Sequence, residues 1–524
     1  MSVLITGKLT RTVAGLAAAA LLVPLAACTS EPPAPATSGG PAGLDRFHQQ
    51  TLQWTKCDDY ATTETESTIM ALVDGLECTR MQVPLSYDDP GGRTIEVAVA
   101  RRAAGGEKLG SLVTNPGGPG GSGVFGAATT ALGLVKAKSP LVERFDLVGF
   151  DPRGVGATRP AVDCFTDAEA DRGSVPLTTQ GTTVEWTEQD TRALVERCAK
   201  GSGGPDVLAH LGTRDVARDM DVLRVVLGDE KLTFLGQSYG TRLGAVYAEQ
   251  FPRNVRAMLL DGAIDSRQGT MERRVFAFSG FQAAFDRMAA FCARQAGCPI
   301  GRDPKAATAE FQKIVRPLHD KPIPALGGEL GFDAAVGGVI SGLYTQAAWP
   351  RIIKGLGQVR QGRGDELAQL GFDFSGRDAK GAWTNFSEAL YAINCMDEER
   401  LSEQQGNELR AAVVKSAPFM DPGVDLTGAR DGCEHWPAPP TLGFPYAQNV
   451  KDLPRTLVVS ITGDPTTPHA GAVRLAESLG SALLTVRGEG HTIVTAGTNS
   501  CVNQAAADYL IDLEPPAAGA TCTL

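Results

Sequence analysis

Three side chains, far apart in the sequence, are of the types and in the order that acyl transfer needs. Ser238 lies between two glycines in Gly236-Gln237-Ser238-Tyr239-Gly240, Asp464 follows Gly463, and His491 follows Gly490. A serine hydroxyl is a poor nucleophile at neutral pH and needs a histidine to take its proton. The histidine needs a carboxylate to hold its tautomer and to stabilise the imidazolium that forms. The chain has six histidines: His48, His210, His319, His435, His469 and His491. His491 alone follows the last strand-like run in a glycine-flanked loop. His469 is a second candidate base, but it comes five residues after Asp464 and reads as the start of a helix. Asp261 is a second candidate acid, because it too ends a strand-like run.

The flanking segments position these groups. The apolar run Leu232–Leu235 precedes Ser238, and Leu243, Val246, Tyr247 and Phe251 follow at helical spacing. A serine in a tight strand-to-helix turn is a nucleophile elbow, in which the glycines leave room that Cβ atoms would fill and the helix N-terminus faces the reacting carbonyl. Upstream, the strand-like Ser111–Asn115 runs into Pro116-Gly117-Gly118-Pro119-Gly120-Gly121-Ser122-Gly123. Such a loop brings backbone N–H donors close to a substrate; it lacks the Gly-Lys-Ser/Thr ending of a phosphate-binding loop. Phe145–Asp151 is another buried-type strand, and Arg153 after it reads as a brace between loops. Thr213 reads as a helix N-cap, with Val216, Met220, Leu223 and Leu227 on one face. The strand Val255–Leu260 ends at Asp261, Thr456–Ile461 at Gly463-Asp464, and Ala482–Val486 precedes His491.

Alternating strands and helices give an α/β fold, a mostly parallel sheet with helices on both faces. Between 265 and 440 the alternation is lost and helical spacing dominates, as in Phe278–Phe291 and Leu401–Val414. This reads as a helical cap inserted between core segments 51–264 and 441–524. The net charge of −11 and the absence of a basic stripe exclude nucleic acid as a natural partner.

The first 27 residues read as an export signal. Lys8 and Arg11 precede an apolar stretch, Val13–Leu25, too short to span a bilayer comfortably. Leu25-Ala26-Ala27-Cys28 resembles a bacterial lipobox, which implies a lipid on Cys28 and anchorage at the outer face of the cell membrane; a plain secretory signal is the alternative. Residues 28–50, rich in Pro, Ala, Ser and Gly, read as a flexible tether. Of 11 cysteines, ten remain once Cys28 is set aside. Their order suggests Cys57 with Cys78, Cys164 with Cys198, Cys292 with Cys298, Cys395 with Cys433, and Cys501 with Cys522, although order alone does not decide connectivity. No metal-site spacing is present, and no metal or cofactor is expected.

Asn115–Gly123, Asp151-Pro152-Arg153-Gly154-Val155-Gly156, Gly236–Gly240, Gly463–His469 and Gly490-His491 together resemble the tripeptidyl aminopeptidase branch of the α/β hydrolases, related to proline iminopeptidases. They are also similar to mycobacterial cell-envelope lipoprotein serine hydrolases described as carboxylesterase or protease. The resemblance implies Ser238 as nucleophile, Asp464 as acid and His491 as base. The amide of Tyr239, with that of Gly117 or Gly118, would form the oxyanion hole. Proline iminopeptidases have His-Gly-Gly-Pro-Gly where this chain has Pro116–Gly120 preceded by Asn115. The implied activity is release of short peptides from a free N-terminus, with Asp397, Glu398 and Glu434 as candidates to hold the α-ammonium group. An esterase or lipase with the same triad is the rival, and a lipid-anchored binding protein on a hydrolase scaffold is a third reading. The substrate is thus a peptide or an ester; a monomer is expected.

Overall fold

The computed structural model describes residues 43–172, 186–326, 328–425, 427–428 and 430–524; the signal segment, Cys28 and most of the tether lie outside them. The strands in chain order are β1 (Leu76–Pro84), β2 (Thr94–Arg102), β3 (Gly110–Asn115), β4 (Phe145–Phe150), β5 (Leu232–Gln237), β6 (Val255–Asp261), β7 (Ile323–Ala325), β8 (Gly328–Leu330), β9 (Leu457–Gly463), β10 (Ala482–Glu489) and β11 (Thr521–Thr523). Among the described residues, nine form one sheet in the order β1-β2-β4-β3-β5-β6-β9-β10-β11, and β7 and β8 make a separate hairpin. The β1–β2 and β2–β4 pairings are antiparallel, and the remaining ones parallel.

Every residue of β4 and β5 is buried, as expected of strands covered by helices on both faces. Alternate residues feed two cores. Val113, Val148, Phe234 and Leu260 point to one face, and Leu112, Leu147, Leu235 and Leu259 to the other. Because the strands run parallel, the carboxyl ends of β3, β5, β6 and β9 share one edge. That edge collects the glycine-rich loop, Ser238, Asp261 and Asp464.

A third apolar cluster lies in the insertion. Helices Thr270–Ala293, Ala307–Val315, Phe332–Leu343, Trp349–Val359 and Asp365–Ser375 contribute to it, with Phe285 stacked on Phe419 at 4.9 Å. The expected single cap over 265–440 needs revision, however. Helix Phe386–Asp397 buries Ala389, Tyr391, Ala392, Ile393 and Met396 in the same core as β5 and β6, together with Cys433 and Trp436. Its apolar face completes the sheet's own core rather than the cap's. The tether is also shorter than 28–50 suggests. Leu44 and Phe47 are buried, and Gln50 is hydrogen-bonded to Gln82, so the packed body begins at about residue 44. Thr213 opens helix Thr213–Val226 as its first residue, with Gly212 at the N-cap.

Disulfides join Cys57–Cys78, Cys164–Cys198, Cys292–Cys298, Cys395–Cys433 and Cys501–Cys522. Each links cysteines adjacent in the chain, so each fixes a local loop. Arg153 is fully buried, bonded through two nitrogens to Asp219 and donating to the carbonyls of Pro84 and Leu85. It clamps the loop after β4 to the ends of β1 and helix Thr213–Val226.

Candidate active site

Ser238 joins β5 to helix Tyr239–Gln250 with φ 54° and ψ −119°, a conformation that costs an L-residue about 1–3 kcal/mol and persists because its surroundings fix it. Its amide donates to the carbonyl of Asp261 at 2.9 Å. The glycines are required by close approach. A Cβ at Gly236 would lie 2.3 Å from the Gly240 carbonyl oxygen, and one at Gly117 would lie 2.6 Å from the Gln237 oxygen and 2.8 Å from Ser238 Cβ. The glycine-rich loop therefore rests directly against the nucleophile turn.

His491 Nδ1 lies 2.8 Å from Asp464 Oδ2, and the Asp464 side chain is wholly buried. Asp464 also accepts the amides of Thr466 and Thr467 and the Thr467 hydroxyl, at 3.0, 2.8 and 2.9 Å. These bonds lock the carboxylate and aim its Oδ2 at the ring. His491 Nε2 is buried and has no hydrogen-bond partner among the described residues, and it borders the cavity that Ser238 also lines. A buried imidazole nitrogen without a partner, on a histidine that lines one cavity with a serine, suits a general base before substrate arrives.

The rival acid and base take other places. Asp261 Oδ2 accepts the amides of Ile493 and Val494 at 2.7 and 2.8 Å, and burial pushes its carboxyl up to about 6. It anchors the backbone of the histidine loop. His469 begins helix His469–Leu479, with Nδ1 3.0 Å from Ser460 Oγ.

Among the two candidate loop donors the geometry distinguishes. The Gly117 amide is already given to Asn115 Oδ1 at 3.1 Å. The amides of Gly118 and Tyr239 have no acceptor among the described residues, and both residues line the cavity. Those two N–H groups are the ones available to a developing oxyanion.

The cavity has a volume of about 1500 Å³, above the usual ~300–1,000 Å³ of a small-ligand pocket. Much of its roof is aromatic. The Tyr344 ring meets His491 edge-on at 5.4 Å, Phe374 lies 4.9 Å from Tyr344, and Phe386 lies 5.8 Å from Phe374. Phe386 in turn covers Gly118. The Tyr344 carbonyl accepts the His491 amide at 3.0 Å, so the insertion bonds directly to the histidine loop.

The three acids expected to grip a substrate amine are engaged elsewhere. Asp397 is buried and accepts from the Thr213 amide, the Thr213 hydroxyl and Arg242. The Thr213 hydroxyl also meets Tyr239 Oη at 2.7 Å, so Asp397 props the elbow helix from behind. Glu398 is buried between Arg273 and Arg274. Glu434 pairs with Arg430 and accepts from Thr191. The Cys395–Cys433 bond does bring this region together, but arginines have taken the charges, distant in the sequence for Asp397 and Glu398 and four residues away for Glu434. Asp397→Ala would leave Arg242 buried without its partner and is expected to lower stability by about 3–5 kcal/mol, read as a lower denaturation midpoint.

Other acids line the cavity, Glu388 with Asp163 and Asp167 near it among them. Glu388, in the first turn of helix Phe386–Asp397, accepts the Cys164 amide at 2.9 Å and pairs with no Lys or Arg among the described residues. Burial first, then the nearby charges of Asp163 and Asp167, raises its carboxyl to about 7 against the bonds from the Cys164 and Phe165 amides. Nothing in the local sequence singles it out; its importance comes from the chain crossing at Cys164, 224 positions away.

A nucleophile elbow at the carboxyl edge of a mostly parallel sheet, sharing a cavity with a histidine held by a buried aspartate, defines a serine hydrolase. The chain belongs to the α/β-hydrolase family: the model of the alpha/beta hydrolase fold matches residues 110–495. It is 40% identical over 490 residues to the serine protease Hip1 of Mycobacterium tuberculosis, covering 90% of this chain and 91% of that one. It is 38% identical to carboxylesterase B of the same organism, covering 95% and 94%. It is 30% identical to the tripeptidyl aminopeptidase of Streptomyces coelicolor, covering 85% and 83%.

Proposed function

We propose that this serine hydrolase removes short peptides from free N-termini through an acyl-enzyme on Ser238. His491 Nε2 takes the hydroxyl proton as Ser238 Oγ attacks the scissile carbonyl. The Tyr239 and Gly118 amides hold the oxyanion, and Asp464 stabilises the imidazolium. His491 then protonates the leaving amine, and in the second half takes a proton from water as it attacks the ester. The observation that favours a peptide amine is Glu388, a carboxylate lining the cavity and paired with no Lys or Arg among the described residues. An α-ammonium group would supply that cation.

The test compares Ala-Ala-Pro-p-nitroanilide, free and N-acetylated, with p-nitrophenyl butyrate. Acetylation and Glu388→Gln are each expected to raise KM for the anilide about tenfold or more, as loss of a charge-assisted hydrogen bond would. Neither effect should extend to the ester. Amide cleavage indifferent to acetylation would remove the aminopeptidase reading. pH gives a second readout. Glu388 is ionised only above about 7, so the ratio of anilide to ester kcat/KM should rise through about pH 7. It should fall again as the peptide amine loses its proton near ~8. Taking the ratio cancels groups common to both reactions.

The aromatic roof favours a second reading, an esterase acting on acyl chains. Strong ester turnover without anilide cleavage would select it. Export and lipid attachment at Cys28 belong to the same proposal, supported by the lipobox-like quartet and by five disulfides, which persist in oxidising compartments. Mass spectrometry of the mature N-terminus should find a lipidated Cys28; an unmodified N-terminus elsewhere would contradict it.

A further inference from the structure

One wall of the cavity carries more positive charge than the protein neutralises. Arg242 lies one helical turn beyond Ser238 on the elbow helix, and Arg273 and Arg274 enter from helix Thr270–Ala293; all three line the cavity. Among the described residues, two carboxylates pair with these three guanidinium groups. Asp397 takes Arg242, and Glu398 takes both Arg273 and Arg274. Neighbouring acids are committed elsewhere: Asp265 pairs with Arg474, and Glu399 accepts the Thr270 amide.

Unpartnered atoms mark the surplus. Nε of Arg242 and Nε of Arg273 are buried with no acceptor among the described residues, although the Arg242 side chain is only 2% exposed. A buried N–H of a charged group without an acceptor is costly and rare. Burial, and repulsion from Arg242 and Arg274, hold the Arg273 guanidinium down at about 10 despite Glu398. An anion reaching the partly exposed Arg273 guanidinium from the cavity would offset that repulsion.

The wall also has a defined place relative to Glu388. Helix Phe386–Asp397 carries Glu388 in its first turn and Asp397, the Arg242 partner, at its end. Nine residues of helix span ~14 Å, about the length of four extended residues.

We infer that the wall formed by Arg242, Arg273 and Arg274 is a subsite for a carboxylate of the substrate, opposite the Glu388 pole. The inference deepens the peptide reading and rests on it for the substrate class. A short peptide of about four residues carries both charges, an α-ammonium group for Glu388 and a carboxylate for the arginines. The carboxylate comes either from the peptide's C-terminus or from an acidic side chain.

The experiment measures kcat/KM of the wild type, Arg273→Gln and Arg273→Lys on three peptides: Ala-Ala-Pro-Ala acid, its C-terminal amide, and Ala-Ala-Pro-Asp amide. In the wild type a carboxylate-bearing peptide should exceed the neutral amide about tenfold, mainly through KM. Preference for the acid identifies the C-terminus; preference for the Asp amide identifies a side chain. In Arg273→Gln the ratio should fall to about one, and Arg273→Lys should restore part of it. Equal values for all three peptides in the wild type, or a ratio that survives in Arg273→Gln, would overturn the subsite. Inhibition of p-nitrophenyl butyrate turnover by glutarate and by neutral glutaramide is measured in parallel on the wild type. This arm decides the subsite even if no peptide is cleaved or Arg273→Gln does not fold. Stronger competitive inhibition by glutarate supports it, and equal inhibition overturns it.

Discussion

Ser238→Ala is expected to lower kcat by ~10⁴–10⁶ on any substrate the enzyme accepts, without loss of fold. The size follows from removing the attacking atom while the oxyanion donors and the cavity remain. The fold should survive because the hydrogen bonds of Ser238 among the described residues run through its backbone, so loss of the hydroxyl strands no buried partner. The backbone makes a second, separable prediction. At φ 54° and ψ −119°, alanine is as strained as serine, but glycine is not. Ser238→Gly should therefore be equally inactive yet more stable than Ser238→Ala, by about 1–3 kcal/mol in denaturant unfolding. Turnover near the wild-type rate in Ser238→Ala, or failure of a fluorophosphonate to label the wild type at Ser238, would remove the assignment.

Asp464→Asn is the second large expected effect, a fall in kcat of about 10⁴. The carboxylate is bonded to His491 Nδ1 and held by three donors from residues 466 and 467. An amide in its place cannot stabilise the imidazolium, and its NH₂ turned to the ring favours the tautomer that protonates Nε2, the atom that must be free. Asp261→Asn is the control, because that carboxylate is hydrogen-bonded to the Ile493 and Val494 amides and not to the His491 ring among the described residues, and an asparagine oxygen still accepts those bonds. Its effect should be far smaller. Similar losses in the two variants would mean that Asp261 shares the role of the acid.

The elements that hold these groups were readable because strand ends in a parallel sheet converge on one edge. Short apolar runs ending in Ser238, Asp464 and the His491 loop were sufficient to place all three there. The acids of the insertion were not readable in the same way. Asp397 and Glu398 sit beside a disulfide in the right region, but whether a carboxylate is free depends on which cation reaches it. Arg242 arrives from 155 positions upstream, and Arg273 and Arg274 from about 125. Glu388 is the converse: an ordinary first-turn acid that matters because it alone of these was left without an arginine. The cap boundary failed for a related reason. Helical spacing identifies helix Phe386–Asp397, but not which of two apolar cores its face completes.

The bond from the His491 amide to the Tyr344 carbonyl, with the two rings packed edge to face, makes the roof and the base one mechanical unit. Any motion that lifts the Tyr344 segment off the cavity must break that bond, leaving the histidine loop to Asp261 and the ring to Asp464. The backbone bond that seats the insertion beside the cavity is thus also a bond to the residue that carries the base.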